Sequence, residues 1–231
     1  MTRTLRTAVV TGRHPYDVPA FQRLFRDLPG IDAYPQSLED FALSRPAIRD
    51  AYDVLVFFNF HLRTPTGDEA PDNGESTKAS RQAMRTDQAV TNALESLGED
   101  GRGLMIWHHA LLAFPSWDHW SALCGMADRS FTDVTVDQVW TGAADADHPI
   151  TADVEPWEMR DEVYLMGPPD PGCEILLTTD HPKSMRALAW THTVRRSRVL
   201  VYQSGHDAHA YAHPTFRRVM AQGIRWLGGP A

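Results

Sequence analysis

The sequence predicts an α/β protein built around a doubly wound parallel sheet, and three observations carry that expectation. "DVLVFFNF" (53–60) and "GRGLMIWHH" (101–109) hold short, nearly continuous apolar runs, as central parallel strands covered on both faces do. Segments with helical apolar spacing alternate with these strands. The connections between them are short, so successive strands build one sheet with helices on its two sides.

Taken in order, "LRTAVVTG" (5–12) reads as a buried strand ending in glycine. Asp17 then caps a helix whose Phe21, Leu24, Phe25 and Leu28 fall at i, i+3, i+4 and i+7, and Gly30 closes it. A short strand spans residues 31–34 and the run at 53–60 follows. Residues 62–76 are rich in Pro, Gly, Asp and Asn and read as a surface loop. The next helix places Ala79, Ala83, Val90, Leu94 and Leu97 on one face, ahead of the strand at 101–109.

The middle of the chain changes character. "FTDVTVDQVW" (131–140) alternates, with Val134, Val136 and Trp140 on one face and Asp133 and Asp137 on the other, as an antiparallel strand half exposed to water does. Further strands are expected at 173–179, 186–194 and 197–205. Pro214 suits the first turn of a final helix carrying Phe216, Val219, Met220, Ile224 and Leu227 as its buried stripe. There is no internal repeat, and residues 1–231 are expected to form a single domain.

Composition narrows the function classes. A chain that is 42% hydrophobic and 23% charged supports a sizeable core. A net charge of -8 argues against a nucleic-acid partner, which demands a basic surface. No run approaches the ~18 apolar residues of a membrane span, and the apolar stretch in "MTRTLRTAVVTG" is too short for a signal-peptide core. Cys124 and Cys173 form neither a disulfide framework nor a paired-cysteine metal motif, so a cytoplasmic protein is expected.

The chain has 11 histidines, and their placement is what matters. His14, His61, His108 and His109, and His206 each follow a predicted strand. In an open parallel sheet the strand C-termini share one rim, where ligands bind. Four segments therefore converge on one edge. His61, His119, His148, His181 and His192 read as structural, His213 as a helix cap, and His209 as a loop residue. Trp107, Trp190 and Trp226 read as core, and Trp117, Trp120 and Trp157 more as packing than as sugar platforms.

Several segments together resemble the ThuA-like (trehalose utilisation) family of the class I glutamine amidotransferase-like superfamily. They are "TGRHPY" (11–16), "GLMIWHHA" (103–110), "DHPIT" (147–151), "DEVY" (161–164), "AWTHTVRRSRVLVYQSGHD" (189–207) and "HPTFRRVMAQGIRWLGG" (213–229). The resemblance implies a flavodoxin-like three-layer α/β/α sandwich, its sheet mainly parallel with added antiparallel strands, and a role in sugar metabolism. It places the family's histidine after the fourth strand on His108, with His109 where a small residue is more usual. It also places the strand-one histidine on His14, the acidic pair on Asp161 and Glu162, the tyrosine on Tyr164, and the glycine-histidine on Gly205 and His206.

Fold relatives that hydrolyse glutamine use a cysteine on the strand-to-helix turn. Here "IWHHALL" has no thiol or hydroxyl at that turn, Ala208 replaces the glutamate expected after His206, and Cys124 lies at the far end of the next helix. Amidotransfer is thereby disfavoured, and imidazole–carboxylate chemistry remains. The expected catalytic residues are His108, His206, Asp161 and Glu162. His14, His109, Tyr164 and Asp207 are expected to bind substrate. A divalent metal such as zinc is the candidate cofactor, with His14, His108 and His206 and one carboxylate, Asp161 or Glu162, as its ligands. The expected partner is a small sugar, with no nucleic acid and no membrane, and self-association into a homo-oligomer stays open. The leading expectation is an enzyme acting on a sugar or keto-sugar derivative by hydrolysis, isomerisation or elimination. The alternative is a non-catalytic amidotransferase-like module that binds a small molecule or a partner protein.

Overall fold

The computed structural model describes residues 3–65, 78–143 and 147–229. Parallel pairing of β1 (Leu5–Gly12), β2 (Ile31–Ser37), β3 (Val54–Asn59), β4 (Gly103–Trp107) and β9 (Ser197–Tyr202) forms one half of the sheet. Antiparallel pairing adds β8 (Ala187–Val194), β7 (Glu174–Thr178), β5 (Phe131–Ala143) and β6 (Trp157–Met166). The nine strands run in the order β2-β1-β3-β4-β9-β8-β7-β5-β6. Every residue of β3 and β4 is buried, which explains their unbroken apolar runs.

Each face of the sheet has its own apolar layer. On one side lie α1 (Val18–Arg26), α6 (Ala208–Ala212) and α7 (Pro214–Gly228), which contribute Phe21, Leu24, Tyr211, Phe216 and Ile224. On the other lie α2 (Leu38–Leu43), α4 (Lys78–Glu95) and α5 (Asp118–Cys124), with Phe41, Leu94, Trp120 and Leu123. A short α3 (Pro46–Arg49) precedes β3. Among the described residues no helix is long and apolar enough to cross a membrane.

Local signals fix the helix starts. The Asp17 carboxylate accepts from Ala20 N at 3.0 Å to cap α1. His213 accepts from Thr215 N at 3.3 Å to cap α7, with Pro214 at its first position, as the sequence suggested. Such caps contribute about 1 kcal/mol each. His209 is not in a loop, because Asp207 caps the five-residue α6 that contains it. Most of the predicted loop at 62–76 lies outside the described residues.

The alternation in β5 does mark a strand, but its apolar face is not a buried one. Val134, Val136 and Trp140 are all exposed, and only Val139, on the opposite face, is covered before Thr141. The reason is topological: from Phe131 to Thr141, β5 pairs with β6 alone. This ribbon matters for function, since the "DEVY" acidic pair lies in the middle of β6 and not ahead of a strand.

Candidate functional site

His108 follows β4 directly, at the head of a 3-10 turn spanning His108–Leu112, and its φ of 52° is left-handed. A non-glycine residue held there stores of order 1–3 kcal/mol of strain, which is retained where the surroundings determine it and is common at functional sites. The imidazole is fully buried. Its Nδ1 lies 2.7 Å from the Gln203 carbonyl, which can only accept, so Nδ1 is assigned the proton and donates. The Nε2 lone pair is thereby left facing the rim.

Three groups surround that Nε2 atom. His206 Nδ1 is 3.1 Å away, Tyr164 Oη 3.0 Å and Glu162 Oε1 3.6 Å. Glu162 Oε2 in turn lies 3.5 Å from His206 Nδ1. Among the described residues, His108, Glu162 and His206 form the group of His, Cys, Asp or Glu donors close enough to share one ion, with all ligand atoms within 4.8 Å. Burial alone would raise the Glu162 pKa. When protonated, His108 donates from Nε2 and its charge, with that of His206, outweighs burial and holds the carboxyl below its usual range.

Asp161 is placed differently from its neighbour. It is buried, with Oδ2 accepting from Gly205 N at 2.8 Å and Oδ1 from His206 N at 2.9 Å and Glu162 N at 3.0 Å. Burial raises its pKa, opposed by the charge of His108 and by these N–H bonds. Its carboxylate therefore organises the segment that delivers His206 instead of facing the rim. Gly205 completes that segment at φ 114°, where an added Cβ would come within 2.5 Å of the Trp107 indole nitrogen. That same indole N–H donates to Ser204 O at 2.9 Å. Only glycine fits there.

His14 and His109 stack on one another at 4.1 Å between ring centroids. His14 stands 6.1 Å from the ring of His206 and outside the three-donor group, in which Glu162 supplies the carboxylate beside His108 and His206. His109 donates from Nε2 to Phe58 O at 3.1 Å. Burial, then the charges of His108 and His14, push its pKa down to about 2. Burial and the charges of His108 and His206 lower His14 as well.

A histidine held neutral in the fold but free to protonate when unfolded makes stability fall as pH drops below the unfolded value of about 6.5. For His109 the loss is roughly 2 kcal/mol at about pH 5, and a cation held by its neighbours would act in the same direction. Thermal unfolding between about pH 5 and pH 7.5 should show this acid limb, and it should flatten in His109→Gln. An unchanged slope in the variant would assign the acid sensitivity elsewhere.

The remaining expected site residues also have definite places. Tyr164 was expected at the substrate but is fully buried beneath His108, because β6 directs it into the core, and it holds Glu162 and His108. Asp207 caps α6 and pairs with Arg160 at 2.7 Å. Sequence reasoning missed Gln203, Trp107 and Arg160 as supports. Gln203 acts through its carbonyl, which no side-chain pattern reveals, whereas Trp107 was legible only as core. Cys124 ends α5, buried, with its thiol pushed by burial up to about 12, so it offers no nucleophile.

The model of the ThuA family, described as trehalose utilisation, matches residues 39–227. A search of the curated proteins returns no match. Among solved structures, a ThuA-like protein from Parabacteroides merdae is similar at 17% identity with a TM-score of 0.66, covering 98% of this chain and 90% of that one. A ThuA-like protein from Bacteroides uniformis gives 16% identity and a TM-score of 0.67, covering 97% and 91% of the two chains. PurLQS from Thermotoga maritima gives 12% identity and a TM-score of 0.56 over 97% of this chain and 99% of that one. At such identities the likeness is one of fold, and it places the nine-stranded α/β/α architecture among flavodoxin-like, glutamine amidotransferase-like folds. By the match over most of its length, the chain belongs to the ThuA family, whose description points to trehalose utilisation.

Proposed function

We propose that the protein is an enzyme acting on a sugar or keto-sugar derivative, with His108, Glu162 and His206 as its reacting centre and a divalent metal such as zinc as its cofactor. The observation that carries this reading is the spacing of the three donors. His108 Nε2 and His206 Nδ1 lie 3.1 Å apart, Glu162 Oε1 is 3.6 Å from the first and Glu162 Oε2 3.5 Å from the second, and one ligand atom from each of the three lies within 4.8 Å of the others. Ligands at ~2.0–2.1 Å from a tetrahedral zinc are separated by ~3.3 Å, and two imidazoles with one carboxylate are a usual catalytic set with a fourth position open. The support behind the ligands fits as well, since a metal-ligating histidine normally donates its other N–H to a fixed acceptor, here Gln203 O. A metal so held supplies a Lewis acid for a carbonyl or an acidified water.

The chain's own groups then have distinct duties. Gln203 O fixes the tautomer that presents His108 Nε2. Glu162, ionised at neutral pH, accepts a proton or a hydrogen bond from the ligand. His206 is only partly buried and is the imidazole that a ligand at the rim meets first. Asp161 and Tyr164 are positioning residues. The sugar itself is supported by family membership alone. A specific observation also favours the non-catalytic reading: the strained position after β4 holds an imidazole tied to the backbone and no nucleophile. A turnover screen over neutral sugars and their keto derivatives, with zinc supplied, separates the two. Turnover of at least one compound is expected, and ligand binding without any turnover would favour the binding module.

A further inference from the structure

Behind the turn that presents His108 sits a buried cation that the proposed reaction does not use. Arg129, in the connection from α5 to β5, is only 7% exposed. Its Nη1 donates to Leu111 O at 3.0 Å and to Ala113 O at 2.5 Å, and its Nη2 to Phe114 O at 2.6 Å. Its Nε donates to Ser121 Oγ of α5 at 3.0 Å. All four acceptors are neutral, and among the described residues no carboxylate forms an ion pair with this guanidinium. Burying a charge away from any counter-ion is costly, and an apolar side chain of similar volume is often no less stable. What explains the cation is the set of three carbonyls that it gathers.

Those carbonyls belong to a segment that cannot satisfy them itself. From His108 to Phe114 the chain is a short 3-10 turn and its exit, with left-handed backbone at both ends, φ 52° at His108 and 47° at Phe114. Non-glycine residues hold such angles only where the surroundings impose them. At the near end His108 Nδ1 donates to Gln203 O, and Trp120 Nε1 donates to Ala110 O at 2.9 Å. At the far end Phe114 N donates to His61 O at 2.6 Å. Arg129 ties down the stretch between. Its planar fork has donors at fixed spacing and sets three carbonyls of the turn at once, which a lysine ammonium, a point charge on a flexible stem, cannot do.

We propose that Arg129 is a positioning residue for the centre formed by His108, Glu162 and His206. Its guanidinium locks the turn in the strained form that keeps His108 Nδ1 on Gln203 O and Nε2 beside His206 and Glu162. Without the fork, His108 relaxes toward an ordinary backbone angle and its imidazole leaves the shared position. The link to catalysis rests on the proposed function, whereas the link to the geometry of His108 does not.

Metal-free protein tests the second link on its own. With isotope-labelled histidine, NMR should show the His108 Nδ1–H as a slowly exchanging proton, because its bond to Gln203 O is buried, and His108→Gln assigns the signal. Arg129→Met, which keeps the volume and removes the fork, should shift or abolish that signal. It should also lower zinc affinity about 10–100-fold, as loss of a support behind a ligand does. In Arg129→Ala, millimolar guanidinium should restore the signal and recover zinc affinity at least about tenfold, and methylammonium should restore neither. A role in general stability alone would leave the signal in place in every variant that folds. A wild-type His108 signal in Arg129→Met would overturn the proposal, and so would a shifted signal with zinc affinity unchanged. Loss of the fold in both variants without repair by guanidinium would overturn it as well. A wild type that binds no zinc while the signal still follows Arg129 would sink the metal reading and leave the positioning role standing.

Discussion

Glutamine in place of Glu162 is expected to remove turnover and to cut zinc affinity more than about 100-fold, with stability changed by less than about 1 kcal/mol. The change keeps the side-chain volume but replaces an anionic oxygen, which lies 3.6 Å from His108 and 3.5 Å from His206, by an amide. Supporting residues around a metal typically contribute 10–100-fold to affinity, so loss of a direct ligand should exceed that. The two histidines remain, and their supports at Gln203 and Asp161 are untouched, which is why the fold should hold. Loss of stability in parallel with loss of metal would point to a structural ion instead.

Alanine at Asp161 should behave in the opposite way, destabilising the fold by roughly 3 kcal/mol or more. It leaves the N–H groups of Glu162, Gly205 and His206 without their acceptor in a buried position, and each such group costs ~1–3 kcal/mol. Asp161→Asn retains one acceptor oxygen and turns an NH2 toward a donor. It should therefore lose less stability than alanine, yet still displace the segment that carries His206. Chemical denaturation checks the first statement. The second is checked by zinc affinity in the asparagine variant, which a positioning role lowers by ~10–100-fold. An Asp161→Asn protein with wild-type affinity and turnover would reduce this carboxylate to ordinary packing.

How far the site could be read from sequence depends on the physics behind each residue. The central strands were legible because burial on both faces leaves an unbroken apolar run, as in "VLVFFN". The convergence of His14, His108 and His206 followed from a topological rule about strand ends that needs no side-chain contact. Which of them face one another did not follow. That Glu162 and not His14 stands with His108 and His206 was not legible, because β6 enters from the far end of the sheet and strand order is not written in local periodicity. The adjacent acids Asp161 and Glu162 look equivalent as letters, but successive strand residues point to opposite faces. One therefore grips the backbone while the other faces the imidazoles. The exposed apolar face of β5 was misread for a related reason, since alternation identifies an apolar face without saying what covers it.

In the proposed centre His108, Glu162 and His206 form one donor set that excludes His14. Parallel zinc titrations of tag-free wild type, His14→Ala and Glu162→Gln test it most directly, by calorimetry and by metal content after gel filtration. The prediction is one zinc per chain in wild type and in His14→Ala, with affinity lowered more than about 100-fold in Glu162→Gln. A wild type that takes up no zinc, or zinc retained by Glu162→Gln and lost from His14→Ala, would contradict it.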